Sequence, residues 1–301
     1  MSSIEKAMQR KRGGTAQKAP PGPDTAQAAA GEPAARQSSI ERAAGVRLAE
    51  APDAFERARR TPDVTLDRQR LIREGLLTPE DEESVLREQY RMVKRRLIAT
   101  AFGEDYAGTN PPNLIEVTSS LDGEGKTFTT FNLGMSIAME RDVTVLLVDA
   151  DLAHRSLTRL TGLSERKGLT EFLTGEVDDL ADIVFRTDVP RMGVIPAGAT
   201  HPDAPELIAS DSMRACTEEL AGRYSDRVIL FDTTPLLMNS QAATLAGHMG
   251  QVLVVVEAGR TNETAVRDAV AMFADAHVSR NLVLNKSRQA RGYGYYGYGG
   301  Y

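Results

Sequence analysis

From residue 114 onward, short apolar runs alternate with stretches of helical period, and few folds tolerate that pattern. The runs are residues 114–118, 143–148, 192–195, 228–231, 252–256 and 282–284; between the first two, Phe128, Phe131, Met135 and Ala138 recur at helical spacing. Strands apolar on both faces must be covered on both faces, and alternation with helices supplies the cover. The pattern predicts an α/β fold, a doubly wound and mostly parallel sheet. With 301 residues and 41% hydrophobic content the chain can bury one substantial core. The longest apolar run of the C-terminal half, residues 252–256, is strand-sized and far too short to span a bilayer.

The remainder of the chain reads differently. Residues 13–35 consist mainly of Ala, Gly, Pro, Gln and Thr and lack the large apolar side chains that ordering requires, so they predict a linker. A short serine-led repeat flanks it, at residues 2–7 and 38–43. Residues 1–60 carry a net +4 and the rest of the chain −10, an acidic core that argues against general nucleic-acid binding. The charged start lacks the apolar stretch of a secretory signal, which predicts a cytoplasmic chain. Cys216 is the only cysteine and predicts a small core residue; the four histidines show no ligand spacing. Thr78, Pro79, Glu80 and Asp81 predict a helix start, followed by an apolar stripe of Leu86, Tyr90, Val93 and Leu97. The last ten residues, G-Y-G-Y-Y-G-Y-G-G-Y, hold five of the eight tyrosines: Tyr293, Tyr295, Tyr296, Tyr298 and Tyr301. Glycine there maximises backbone freedom, leaving phenol as the segment's chemistry. The expected organisation is therefore an N-terminal extension over 1–75, a folded domain over 76–287 and a tyrosine-cluster tail over 288–301.

The first predicted strand runs into S-S-L-D-G-E-G-K-T at residues 119–127, and a periodic helix follows. In the pattern G-x-x-x-x-G-K-[ST], glycines let backbone N–H groups turn toward phosphate, lysine adds a point charge and the hydroxyl serves Mg²⁺. Ser120 stands at the first glycine position, which makes the loop a deviant Walker A. Ser120, Asp122, Gly123, Glu124, Gly125, Lys126, Thr127 and Phe128 are the candidate nucleotide contacts. Two further strands end in acids, Asp149 and Asp151 in V-D-A-D and Asp232 in F-D-T-T-P. A carboxylate directly after a buried strand calls for a cation or donors. Asn285, ending the last predicted strand, is placed to reach a base or simply to make a turn.

Together these motifs resemble the bacterial tyrosine kinases, which use a P-loop fold, over residues 76–301; the segment E-Q-Y-R-M-V-K-R at 88–95 and I-P-A-G at 195–198 look most like the exosortase-associated autokinases of exopolysaccharide operons. The resemblance implies ATP and Mg²⁺ as cofactors and autophosphorylation of the tail tyrosines in trans, within a ring of subunits. It assigns Lys126 to the β/γ-phosphates and Thr127, Asp151 and Asp232 to the metal. Asp149 becomes the group that accepts the tyrosine proton. The family's helical interface motif, E-x-x-R-x-x-R, corresponds here to Glu88, Arg91 and Lys94. Implied partners are a membrane chain-length determinant (a polysaccharide co-polymerase) as activator, other copies of the chain and a tyrosine phosphatase, with no nucleic acid. The activator would recruit the chain to the inner face of the plasma membrane. A partitioning ATPase of the Min/Par type shares the fold but carries a second lysine early in its loop, where this chain has Leu121; a nucleotide-binding adaptor without kinase activity is the other alternative.

Overall fold

The computed structural model describes residues 61–81, 84–104 and 106–287. Both serine-led repeats, the linker and all five tail tyrosines lie outside the described residues.

Seven strands form one sheet: β1 (Leu114–Ser119), β2 (Thr144–Asp149), β3 (Phe185–Arg186), β4 (Met192–Ile195), β5 (Arg227–Asp232), β6 (Gln251–Glu257) and β7 (Ser279–Asn285). Their spatial order is β3-β4-β2-β5-β1-β6-β7. Every pairing is parallel except β3 with β4. The helices are α1 (Arg68–Arg73), α2 (Val85–Phe102), α3 (Lys126–Ala138), α4 (Ser156–Thr161), α5 (Leu169–Leu173), α6 (Ala204–Ile208), α7 (Asp211–Arg223), α8 (Gln241–Ala246) and α9 (Glu263–Ala271).

Alternation along the strands sorts the core into two faces. Ile115, Val117, Val145, Leu147, Val228 and Leu230 point to one side and pack with Tyr90, Leu97, Phe131 and Met135 of α2 and α3. Leu146, Val148, Ile229 and Phe231 point to the other and pack with Met213, Cys216 and Leu220 of α7. Val252 and Val254 extend that second face against Ala242, Ala246 and Ala269 of α8 and α9. A sheet apolar on both sides and helix-covered on both sides is the expected doubly wound architecture. Cys216 is fully buried, and burial pushes its thiol up to about 12, as suits a core residue.

The structure differs from the sequence expectations at three places. The fold begins before residue 76: Leu66 and Leu71 are buried, Asp188 accepts from Leu66 N–H (3.0 Å) and Arg68 (2.8 Å), and Val64 bridges Thr187. Residues 61–75 therefore belong to the folded body. The long helix starts at Val85, capped by the Ser84 hydroxyl, rather than at Thr78. Asp81 instead accepts from the Thr78 N–H at 2.7 Å and from the Thr78 hydroxyl at 3.2 Å, a local turn that engages the hydroxyl expected to cap a helix. Finally, the buried stripe of α2 is Tyr90, Lys94, Leu97 and Ala101, while Leu86 and Val93 are only partly covered.

Candidate active site

β1 ends at Ser119 and α3 begins at Lys126, so the glycine-rich turn sits at the carboxyl edge of the central strands. That edge is where parallel α/β sheets bind ligands. Two backbone conformations make the turn possible. Gly123 (φ 78°) and Gly125 (φ 98°) both occupy the left-handed region that side chains resist. At Gly125 a Cβ would also come within 2.2 Å of the Asn285 amide nitrogen. Lys126 follows at the helix start, largely buried, with its ammonium 3.6 Å from Asp122.

The strand-end acids converge on this turn. Thr127 donates its hydroxyl to Asp232 at 2.7 Å, and Thr130, one helical turn on, donates to the other Asp232 oxygen at 3.2 Å. Asp232 lies directly opposite Asp149 in the β2–β5 register. Asp149 is fully buried; one oxygen accepts from the Thr158 N–H (2.7 Å) and hydroxyl (2.6 Å), and the other has no hydrogen-bond partner among the described residues. Asp151 accepts from the His154 N–H at 3.0 Å and sits 3.1 Å from the His154 ring nitrogen Nδ1. Burial raises the pKa of Asp149 and Asp232 above the carboxylate range, and repulsion from neighbouring acids adds to it. Hydrogen bonds from Thr158 and Thr127 oppose the rise only in part.

The Asp151 and Asp232 carboxylates and the Thr127 hydroxyl offer hard oxygen donors of the kind that fit Mg²⁺. Among the described residues no three such side chains close a cage by themselves.

The side chains of two candidate nucleotide contacts are engaged within the protein. The Glu124 side chain is buried and faces away from the turn's mouth, accepting from the Leu121 N–H (2.6 Å), the Glu257 N–H (3.1 Å) and the Thr261 hydroxyl. Asn285, expected to reach a base or close a turn, donates its amide to the Glu124 carbonyl at 2.8 Å and accepts from the Lys286 N–H. Ser120 is buried, and its hydroxyl finds no partner. A cleft of about 300 Å³ opens beside the turn, between Thr127, Phe128, Arg70, Ser156 and Arg159. A larger cavity, about 650 Å³, lies at the start of β7 among Arg96, Tyr106, His277 and Arg280, at the opposite end of that strand from Asn285.

The helical interface set does not hold together. Glu88 and Arg91 are paired on the outer surface of α2 at 3.0 Å. Lys94 is 5% exposed and points inward, donating to the Ser136 carbonyl (2.6 Å) and bridging Glu140 (2.8 Å). It locks α2 onto α3, leaving Arg95 as the outward cation one turn beyond Arg91.

No family model matches the chain. It is 30% identical over 189 residues to the tyrosine-protein kinase CpsD of Streptococcus agalactiae, an alignment that covers 61% of this chain and 80% of that one. The chain belongs to the bacterial tyrosine-protein kinases. It is also 32% identical over 183 residues to the tyrosine-protein kinase ptk of Acinetobacter johnsonii, where the match spans 60% of this chain but 24% of that longer protein. Among solved structures, the kinase domain of Escherichia coli tyrosine kinase ETK superposes with a TM-score of 0.58 at 25% identity, covering 82% of this chain and 99% of that one. The BceF tyrosine kinase domain gives 0.59 at 26% identity, with 78% and 97% covered. The kinase is thus a protein-tyrosine kinase on a P-loop fold, and among its described residues no helix is long and apolar enough to cross a membrane.

Proposed function

We propose that this kinase uses ATP and Mg²⁺ to phosphorylate the tyrosines of its own tail, Tyr293, Tyr295, Tyr296, Tyr298 and Tyr301, between neighbouring copies. The observation that carries the reading is the Thr127–Asp232 hydrogen bond at 2.7 Å, which joins the start of α3 to the end of β5 beside Lys126. Lys126 would neutralise the β/γ-phosphates; Thr127, Asp151 and Asp232 would hold Mg²⁺, directly or through water. The ion supplies charge neutralisation for the transferring phosphoryl group, the main demand of this chemistry. Asp149, its pKa raised and one oxygen unpartnered, is suited to take the proton of a phenol, whose own pKa is about 10. The cleft beside Thr127 and Phe128 offers the acceptor an apolar ring wall and a route to the turn.

The length of the tail is compatible with transfer in trans. Sixteen peptide steps separate Asn285 from Tyr301, and at about 3.3 Å each they extend roughly 50 Å, enough to cross a subunit boundary. We further propose assembly into a ring through the outer face of α2. A membrane chain-length determinant would act as activator and recruit the kinase to the inner membrane face, with a tyrosine phosphatase to reset it, in control of exopolysaccharide or capsule polymerisation and export. In this scheme residues 1–60 are an extension, residues 61–287 the catalytic body and 288–301 the substrate tail.

The test is incubation of purified protein with ATP and Mg²⁺ followed by phosphotyrosine detection, alongside Lys126→Met and a chain ending at Gln289. Phosphotyrosine in wild type and in neither variant alone is expected. Mixing the two variants should restore label on the Lys126→Met tail. ATP turnover with no labelled tyrosine would favour a partitioning ATPase instead, and tyrosine label that persists without the tail would move the acceptor elsewhere.

A further inference from the structure

The end of β7 grips the outside of the phosphate turn. Asn285 Nδ2 donates to the Glu124 carbonyl at 2.8 Å, and Lys286 Nζ donates to the Gly123 carbonyl at 2.6 Å. Both residues are themselves fixed. The Lys286 N–H closes on Asn285 Oδ1 (2.8 Å), Lys286 occupies a left-handed conformation (φ 57°), and its ammonium pairs with Glu257 at 3.0 Å. Glu257 in turn holds Arg260 at 3.0 Å, and its own N–H is held by Glu124.

A trans peptide is planar, with its C=O and N–H pointing in opposite directions. The Gly123 carbonyl shares its plane with the Glu124 N–H, and the Glu124 carbonyl shares its plane with the Gly125 N–H. Pinning both carbonyls toward β7 therefore aims both N–H groups away from it. Among the described residues, neither N–H finds a protein acceptor. Each plane adjoins a glycine, whose missing Cβ leaves it the least restrained part of the turn, so an external clamp has the most to fix here. The missing Cβ of Gly125 is what lets Asn285 approach.

We infer that Asn285 and Lys286 are positioning residues that set the polarity of two peptide units in the phosphate turn, presenting the Glu124 and Gly125 N–H groups to the phosphates of ATP. The inference rests on the reading of this turn as the ATP site. Because N–H groups so aimed would contact phosphate in bound and transition states alike, their loss weakens binding more than turnover. The clamp also lies at the root of the tail, since Ser287 is followed directly by the tyrosine-bearing segment.

The experiment measures Mg·ADP affinity by calorimetry, and KM for ATP and kcat for tail phosphorylation, in wild type, Asn285→Ala, Lys286→Met and Lys286→Arg. Each of the first two substitutions should weaken ADP binding and raise KM about tenfold, the scale of one charge-assisted hydrogen bond. Turnover at saturating ATP should change by less than about threefold. Lys286→Arg keeps a donor and should recover most of the affinity. Lys286 is exposed, so its variants fold; melting temperature without ligand confirms this for Asn285→Ala. Variants that melt like wild type yet bind ADP equally well, or that lose kcat at unchanged KM, overturn the inference. Wild-type protein that binds no ADP overturns the nucleotide reading itself, and the inference with it.

Discussion

Glu116 sits in the middle of β1, fully buried, flanked in register by Phe231 and Val252. One of its oxygens accepts from the Thr233 hydroxyl at 3.0 Å and the other has no partner. Burial pushes its pKa from 4.5 to about 8, with the Thr233 hydrogen bond opposing the rise. The unfolded chain loses this proton near 4.5 and the folded chain only near 8, so between those values the native state holds more protons than the unfolded one. The stability that the neutral acid allows is complete below pH 4.5, declines as pH rises, and is fully lost above about 8. The slope is about 1.4 kcal/mol per pH unit, and the full span sets a ceiling of roughly 5 kcal/mol. Glu116→Gln removes the titration and keeps the shape. Its amide adds unpaired donors, a penalty of about 1–3 kcal/mol that does not vary with pH. Urea unfolding of both proteins at pH 5.5, 6.5, 7.5 and 9 isolates the effect, because Asp149 and Asp232 titrate in both and cancel in the difference. The variant should gain about 2–3 kcal/mol on wild type between pH 5.5 and 7.5, with the difference levelling off above pH 8. A difference that stays constant over that range would show that Glu116 ionises normally, and the reasoning would fail.

The remaining expectations concern catalysis and assembly. Lys126→Met should lower the initial rate of tail phosphorylation by about a hundredfold or more, followed by quantitative phosphotyrosine blotting. Lys94→Ala should cost about 1–3 kcal/mol in chemical unfolding, since it strips the Ser136 carbonyl and Glu140 of their partner, yet leave oligomer size unchanged. Arg95→Ala should do the reverse, reducing the assembly seen on a sizing column at unaltered stability. Full phosphorylation would place roughly −8 to −10 charges on each tail, so phosphorylated protein should elute smaller than phosphatase-treated protein; equal elution would dismiss the repulsion.

Much of this architecture can be read from residue order because parallel strands announce themselves as short, largely apolar runs, and six of the seven strands do so. Phe185–Arg186 is too short to show a period, and its pairing with β4 is set by chain return rather than by pattern. The inward position of Lys94 is legible in the helical period. At about 100° per residue, Lys94 lies about 120° from Glu88 around the helix while Arg95 lies about 20° away, so spacing alone puts Arg95 on the outer face. Glu116 also left a signal, a lone acid inside L-I-E-V-T. The roles of Glu124 and Asn285 left none, because they depend on partners more than a hundred residues distant that only the folded sheet brings together.

The acids at the strand ends tie stability and ligand chemistry to one electrostatic cause. Asp149 and Asp232 face each other across β2 and β5 with at most 1% exposure, and among the described residues neither has a cationic partner at ion-pair distance; Lys126 pairs with Asp122 at 3.6 Å instead. Burial of such charges is unfavourable unless they are neutralised. A proton neutralises either acid, and under the proposed function a divalent cation at Asp232 would compete with the proton for the same carboxylate. With both pKa values raised, protonation of the pair reaches into the pH range where ordinary carboxylates are fully ionised. Acidification should therefore relieve the repulsion between the two acids and, under the proposed function, weaken Mg²⁺ binding, so that a gain in stability accompanies a loss of competence. The three apolar clusters that hold the sheet on both faces are what allow the fold to carry that strain at its carboxyl edge.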